Sequence, residues 1–117
     1  MAKILVVDDD ESVARLVAEV VSFCKHTPLI FTDPFLAVVA MREHELGAVL
    51  TDYMMPRLDG IDLLNIAQDT MPGARRVLIT AAPQEEAVRK CHQSGVAQMV
   101  IAKPPGIADI RMALAWL

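Results

Sequence analysis

The sequence predicts an α/β fold: a doubly wound parallel sheet of five strands interleaved with five helices. Three observations carry that expectation. Five short apolar runs recur along the chain, each too continuous to be half-exposed, as strands covered on both faces are. Helical patterns separate them in strict alternation, which right-handed crossovers accommodate. The 117 residues, 54% hydrophobic and 22% charged, suffice for one domain with a sizeable core.

The elements follow in order. Lys3–Asp8 is the first strand, and Val13, Leu16, Val17, Val20, Val21 and Cys24 mark the apolar stripe of the first helix. Pro28–Thr32 is the second strand. Asp33 and Pro34 then form an N-cap and first-turn pair for a helix that stops near Gly47. Ala48–Asp52 is the third strand, and a helix from about Gly60 to Asp69 ends before Met71-Pro72-Gly73. Arg76–Thr80 is the fourth strand. The helix after Pro83 ends at Gly95, a left-handed cap. Ala97–Ala102 is the fifth strand, and Ile107–Leu117 the last helix. There are no repeats and no low-complexity linker.

Composition excludes several function classes. A net charge of -4 offers no basic surface for nucleic acid. No apolar run approaches the roughly 20 residues of a membrane span, and the N-terminus lacks a secretory pattern. Cys24 and Cys91 stand apart without metal-ligand spacing, so both are expected to be reduced, packed thiols of a cytoplasmic protein. His26, His44 and His92 form no ligand pattern and are expected at the surface.

In doubly wound folds, function gathers at the carboxyl ends of the strands. Here those ends are Asp8-Asp9-Asp10, Thr32-Asp33, Asp52, Thr80 and Lys103-Pro104. Acids, a hydroxyl and an amine therefore converge on one edge from distant segments. Clustered carboxylates repel unless a hard divalent cation neutralises them, and Mg²⁺ takes one or two carboxylates together with waters and phosphate oxygens. A carboxylate is also a nucleophile that forms an aspartyl phosphate, needing no general base. An ammonium and a hydroxyl would stabilise the transferred phosphoryl oxygens. The constellation reads as a phosphoryl-transfer site.

These motifs resemble those of the receiver domains of bacterial two-component response regulators, over the whole chain. "ILVVDDDES" is similar to the family's first strand and acidic pair, and "VLTDYMMPRLDGIDLL" to its phosphoacceptor strand and following loop. "VLIT" matches the strand ending in the switch hydroxyl, and "IAKP" the one ending in lysine-proline. The resemblance implies a flavodoxin-like strand order 2-1-3-4-5. It implies Asp52 as phosphoacceptor, Asp8 and Asp9 as the Mg²⁺ pair, the backbone carbonyl of Met54 as a further metal ligand, Thr80 as switch hydroxyl and Lys103 as phosphate-pairing amine. The implied partner is a histidine kinase or phosphotransfer protein, with an output domain or effector beyond. The implied role is a phosphoacceptor regulatory domain, with no enzymatic activity beyond its own phosphorylation and dephosphorylation.

Some residues have plainer roles. Asp10 lies outside the acidic pair and is expected to cap the first helix. Asp59-Gly60 is a turn signal, and "YMMP" is expected to pack its loop. Val100 stands where many receivers carry an aromatic switch residue, so the family's ring rotation is missing here. Met54 and Ala82 stand where family members place side chains that flank the attacking water. Neither can hold one, and slow self-dephosphorylation is expected. The short, apolar, uncapped final helix suggests a piece of a longer protein lacking its output domain, with a stand-alone receiver as the alternative. A non-phosphorylated module of the same fold is a weaker reading, because no acid or lysine is lost. An aspartate-nucleophile phosphohydrolase using Asp8-x-Asp10 is weaker still, because 117 residues leave little room for its cap domain. Flavin binding lacks a phosphate loop after the first strand.

Overall fold

The apolar runs form a single five-stranded parallel sheet in the order β2-β1-β3-β4-β5, in a computed structural model that describes Met1–Leu117. The elements alternate as β1 (Lys3–Val7), α1 (Glu11–Phe23), β2 (Thr27–Phe31), α2 (Pro34–Glu43), β3 (Ala48–Asp52), α3 (Gly60–Thr70), β4 (Arg75–Thr80), α4 (Glu86–Gln93), β5 (Met99–Ala102) and α5 (Ile107–Leu114). The predicted count, alternation and order all hold.

Two cores lie on the two faces, separated by the period-2 alternation of the strands. Leu5, Val7, Val49 and Leu78 face Ala37, Met41, Leu63, Leu64 and Val88 of α2, α3 and α4. Ile4, Val6, Leu50, Val77 and Ile79 face Val17, Val21, Ile110 and Leu114 of α1 and α5. β3 and β4 are buried throughout, so the third and fourth strands carry the continuous apolar signal of a central position.

Several boundaries differ from the sequence reading, each for a local reason. β1 ends at Val7, although Asp8 still donates its N–H to the Phe31 carbonyl at 3.2 Å. β2 is an edge strand, only partly covered, and begins at Thr27, whose N–H donates to Ala2. α2 stops at Glu43 rather than near Gly47, because Leu46 turns inward and Gly47 donates to the Lys3 carbonyl at 2.8 Å, drawing the chain onto β1. β5 starts at Met99, because the Ala97 N–H closes α4 on the Cys91 carbonyl. α5 ends at Leu114, short of Leu117. Leu16 departs from the buried stripe of α1, at 45% exposure. Of the histidines, His92 is exposed, whereas His26 and His44 are half-buried; the His26 ring accepts the Ala2 N–H at 3.0 Å.

The caps fall where capping chemistry puts them. Asp10 accepts from the Ser12 N–H at 3.0 Å, and Asp33 from the Phe35 N–H at 2.9 Å ahead of Pro34. Asp59 and Asp62 form a reciprocal capping box on α3. Gly95 has φ +84° just past α4, the left-handed exit its position predicts.

Candidate functional site

The carboxyl edge of the sheet gathers the side chains that the strand ends promised. β1 and β3 are hydrogen-bonded neighbours, so Asp8 and Asp9 follow one strand and Asp52 ends the next. Carboxylate oxygens of Asp8, Asp9 and Asp52 all lie within 4.8 Å of one another. Asp8 and Asp52 are buried, whereas Asp9 is exposed at the rim. Hard oxygen donors in this number and spacing fit a small divalent cation such as Mg²⁺.

Lys103, just past β5, crosses to this cluster. Its Nζ lies 2.8 Å from Asp52 Oδ1 and 3.1 Å from Asp8 Oδ2. The bridge is mostly shielded from water, unlike the exposed pairs Arg15–Glu11 and Lys90–Glu86. The electrostatics are those of a crowded, partly desolvated pocket. Burial pushes the Asp8 carboxyl above its ordinary value, against hydrogen bonds from the Asp10 N–H and Lys103. Burial likewise raises Asp52, and the charge of Asp8 adds to it, with Lys103 opposing. For Lys103, burial pulls the ammonium down, but the hydrogen bonds to Asp52 and Asp8 outweigh it and hold the group above its usual range.

Neighbouring backbone bonds set the frame. The Tyr53 N–H donates to the Ile79 carbonyl at 3.0 Å, and the Lys103 N–H to the Thr80 carbonyl at 2.8 Å. β3, β4 and β5 are thereby held in register at their carboxyl ends. Thr80 is buried, and its Oγ1 accepts the Ala82 N–H at 3.0 Å, which leaves its own proton free to donate. Asp10, by contrast, turns away to Ser12 and is exposed. Hence Asp8-x-Asp10 is not a convergent pair.

The loop after β3 divides its two methionines. Met55 is buried, as loop packing predicts, but Met54 is 68% exposed, so it does not pack the loop as expected. Val100 is half-buried against the α2–α4 core.

Three contributions were not anticipated from sequence. Gly60 was read as a turn residue, yet a Cβ there would fall on the carbonyl oxygen of Asp52 and lie 2.9 Å from both the Asp52 carbonyl carbon and Leu78 Cδ1. Only glycine lets α3 start this close to the Asp52 backbone. Thr51 Oγ1 donates to that same Asp52 oxygen at 2.9 Å. Arg57, at φ +73°, stacks 4.8 Å from the Phe35 ring and reaches Asp33 at 3.5 Å, tying the loop after β3 to the start of α2. The Asp-Gly dipeptide was the one available signal for the first of these; nothing in the sequence marks the others.

The comparisons with known proteins place the fold in a family. The family model described as response regulator receiver domain matches residues 4–115. A protein-glutamate methylesterase/protein-glutamine glutaminase of Geobacter metallireducens is 31% identical over 106 residues, covering 87% of this chain and 29% of that protein. The chemotaxis protein CheY of Halobacterium salinarum is 30% identical over 113 residues, covering 93% of each chain. A crystal structure of a response regulator receiver domain protein from Clostridium thermocellum superposes with a TM-score of 0.90 at 22% identity, over 98% of this chain and 92% of that one. The chain spans 29% and 16% of the length of the first two curated relatives it matches.

Proposed function

The chain belongs to the response regulator receiver domain family, and from that premise we propose that Asp52 is its phosphoacceptor, served by Asp8, Asp9, Thr80 and Lys103. Receiver domains are phosphorylation-dependent signalling domains that work with histidine kinases and phosphotransfer proteins, and the chain is a domain of that regulatory class. No helix is long and apolar enough to cross a membrane. The observation that carries the residue assignment is the convergence of Asp8, Asp52 and Lys103 within ion-pair distance at one sheet edge.

Each group has a distinct task. An Asp52 carboxylate oxygen attacks the phosphorus of a phosphohistidine; the new O–P bond forms as the P–N bond breaks, and the imidazole leaves with its electron pair. Lys103 moves from a carboxylate partner to a phosphoryl oxygen, conserving its charge pairing. Thr80 donates its free proton to another phosphoryl oxygen. Asp8 and Asp9, with Asp52 and the carbonyl of Met54, would hold Mg²⁺. Bound there, Mg²⁺ supplies neutralisation of the acids and of the phosphoryl charge.

A groove between α1 and the start of α5, lined by Leu16, Glu19, Val20, Phe23 and Ile107, is a candidate docking face for the phosphodonor. An output domain or effector protein would read the phosphorylated state. The aspartate-nucleophile hydrolase reading gains nothing from the structure, since Asp10 is engaged as a helix cap.

The test is intact mass after incubation with Mg²⁺ and acetyl phosphate. A single stable phosphate adduct on wild type, absent in Asp52→Asn, is expected. An Asp52→Asn protein that gains phosphate at the wild-type rate would falsify the assignment. Continuous phosphate release without an adduct would instead mark a hydrolase, and no change in wild type an inert module.

A further inference from the structure

At the opposite edge of the sheet lies a buried cation without a countercharge. Arg75 opens β4 with its side chain on the α1/α5 face and is 6% exposed. Its Nε and Nη1 are fully covered and make no hydrogen bond. None of the ion pairs of the protein involves it. The adjacent Arg76 shows what satisfaction looks like: its guanidinium donates to the carbonyls of Val96, Pro72, Ala74 and Gly95 at 2.9–3.2 Å. A buried ion and buried donors left unpaired are both expensive, so nearly every such group in a folded protein has a partner.

Only one group engages the Arg75 guanidinium. The indole of Trp116 stacks over it, 2.9 Å from Cζ to the ring centroid. A ring face offsets part of the charge but accepts no in-plane N–H. Trp116 follows the end of α5, is 68% exposed, and is therefore a cover rather than a core residue. Beside it, Leu117 lies against Gly47, whose carbonyl accepts the Arg75 backbone N–H at 2.9 Å.

We infer that Arg75, beneath a displaceable Trp116, is a binding site for a carboxylate. A carboxylate is planar, singly charged and acceptor-only, so it pairs one guanidinium with nothing left over. Entry requires the indole to swing outward. Its exposure, and its absence from both cores, permit that motion. The carboxylate can come from a small molecule or from an acidic side chain of a protein segment packed on this edge.

Trp116 is the only tryptophan, so its emission reports on the stack directly. The experiment titrates the full chain with sodium acetate replacing chloride at constant ionic strength. A saturable change in Trp116 emission is expected, half-complete on the order of tens of millimolar because one charge-assisted pair provides it. The change is expected to persist in Asp52→Asn, which separates this site from the phosphoacceptor, and to vanish in Arg75→Gln. A hexaglutamate peptide acting at a tenfold lower carboxylate concentration would identify a protein segment as the source; equal concentrations would identify a small molecule. Wild-type emission that does not respond to acetate overturns the inference on its own, whether or not Arg75→Gln folds. So does an identical response in folded Arg75→Gln.

Discussion

Replacing Gly60 by alanine tests how tightly Asp52 is built into the fold. The new Cβ would land on the Asp52 carbonyl oxygen, with the Asp52 carbonyl carbon and Leu78 Cδ1 each at 2.9 Å. Carbon–carbon contacts settle at about 3.5–4.0 Å, so each neighbour must retreat by roughly 0.6 Å or more. Leu78 is fully buried, and Asp52 belongs to a strand hydrogen-bonded on both sides, so neither can move alone. Overpacking of this kind costs about 1–3 kcal/mol, and a backbone obstacle puts it near the top of that range. Alanine returns at most about 1 kcal/mol of helix propensity, and less in the first turn. A net loss of about 2 kcal/mol is expected, or a Tm roughly 10 °C lower. Urea unfolding measures it, with Gly73→Ala as the control, because no atom lies within 4 Å of a Cβ there. A Gly60→Ala midpoint matching that of Gly73→Ala would refute the close-approach argument.

Three further predictions address the chemistry. Mg²⁺ is expected to raise the wild-type Tm by mass action, and Asp9→Ala to lose most of that shift; an unchanged shift would remove Asp9 from the metal set. The shift is also expected to depend on pH. Because burial raises Asp8 and Asp52 above their ordinary value of 3.8, the folded metal-free protein keeps protons that the unfolded chain has released, a stabilisation present at low pH and lost as pH rises through the folded values. Mg²⁺ needs both groups deprotonated, so its Tm shift should fade on acidification before pH reaches 3.8; a shift undiminished down to that pH would contradict the assignment. Finally, neither Met54 nor Ala82 can orient a water, so the aspartyl phosphate is expected to decay at least tenfold more slowly in wild type than in Met54→Asn/Ala82→Glu. Equal decay, followed by intact mass, would exclude that explanation.

The sequence made the alternation of elements legible because the middles of central parallel strands are apolar on both faces, as Ala48-Val49-Leu50 and Val77-Leu78-Ile79 are. It was less reliable at β2, where an edge position leaves Ile30 exposed, and at the end of α2, where a hydrogen bond to β1 decides where the chain turns. The site was readable because its chemistry sits at strand ends, which topology forces together whatever the intervening helices do. What pattern could not reach were effects of approach distance. Gly60 against Asp52, Thr51 on the same carbonyl, and the Arg57–Phe35 stack depend on a few ångströms between segments far apart in sequence. Arg75 was hidden for a different reason: the sequence places it just before the fourth strand, whereas it opens β4 and is buried with the Trp116 ring over it.

The strand order also sets a schedule for building the molecule. β1 is made early but occupies an interior position, flanked by β2 and β3, so it cannot be enclosed until Asp52 has been synthesised. From that moment the Asp8 and Asp52 carboxyls can be drawn together, while Lys103 lies more than fifty residues further along the chain. A nascent chain emerging N-terminus first therefore assembles its negative charge well before the lysine that offsets it. During that interval, repulsion among the acids opposes closure of the β1–β3 pair unless cations from solution screen it. The strand order thus separates the acids from their lysine in synthesis as well as in sequence.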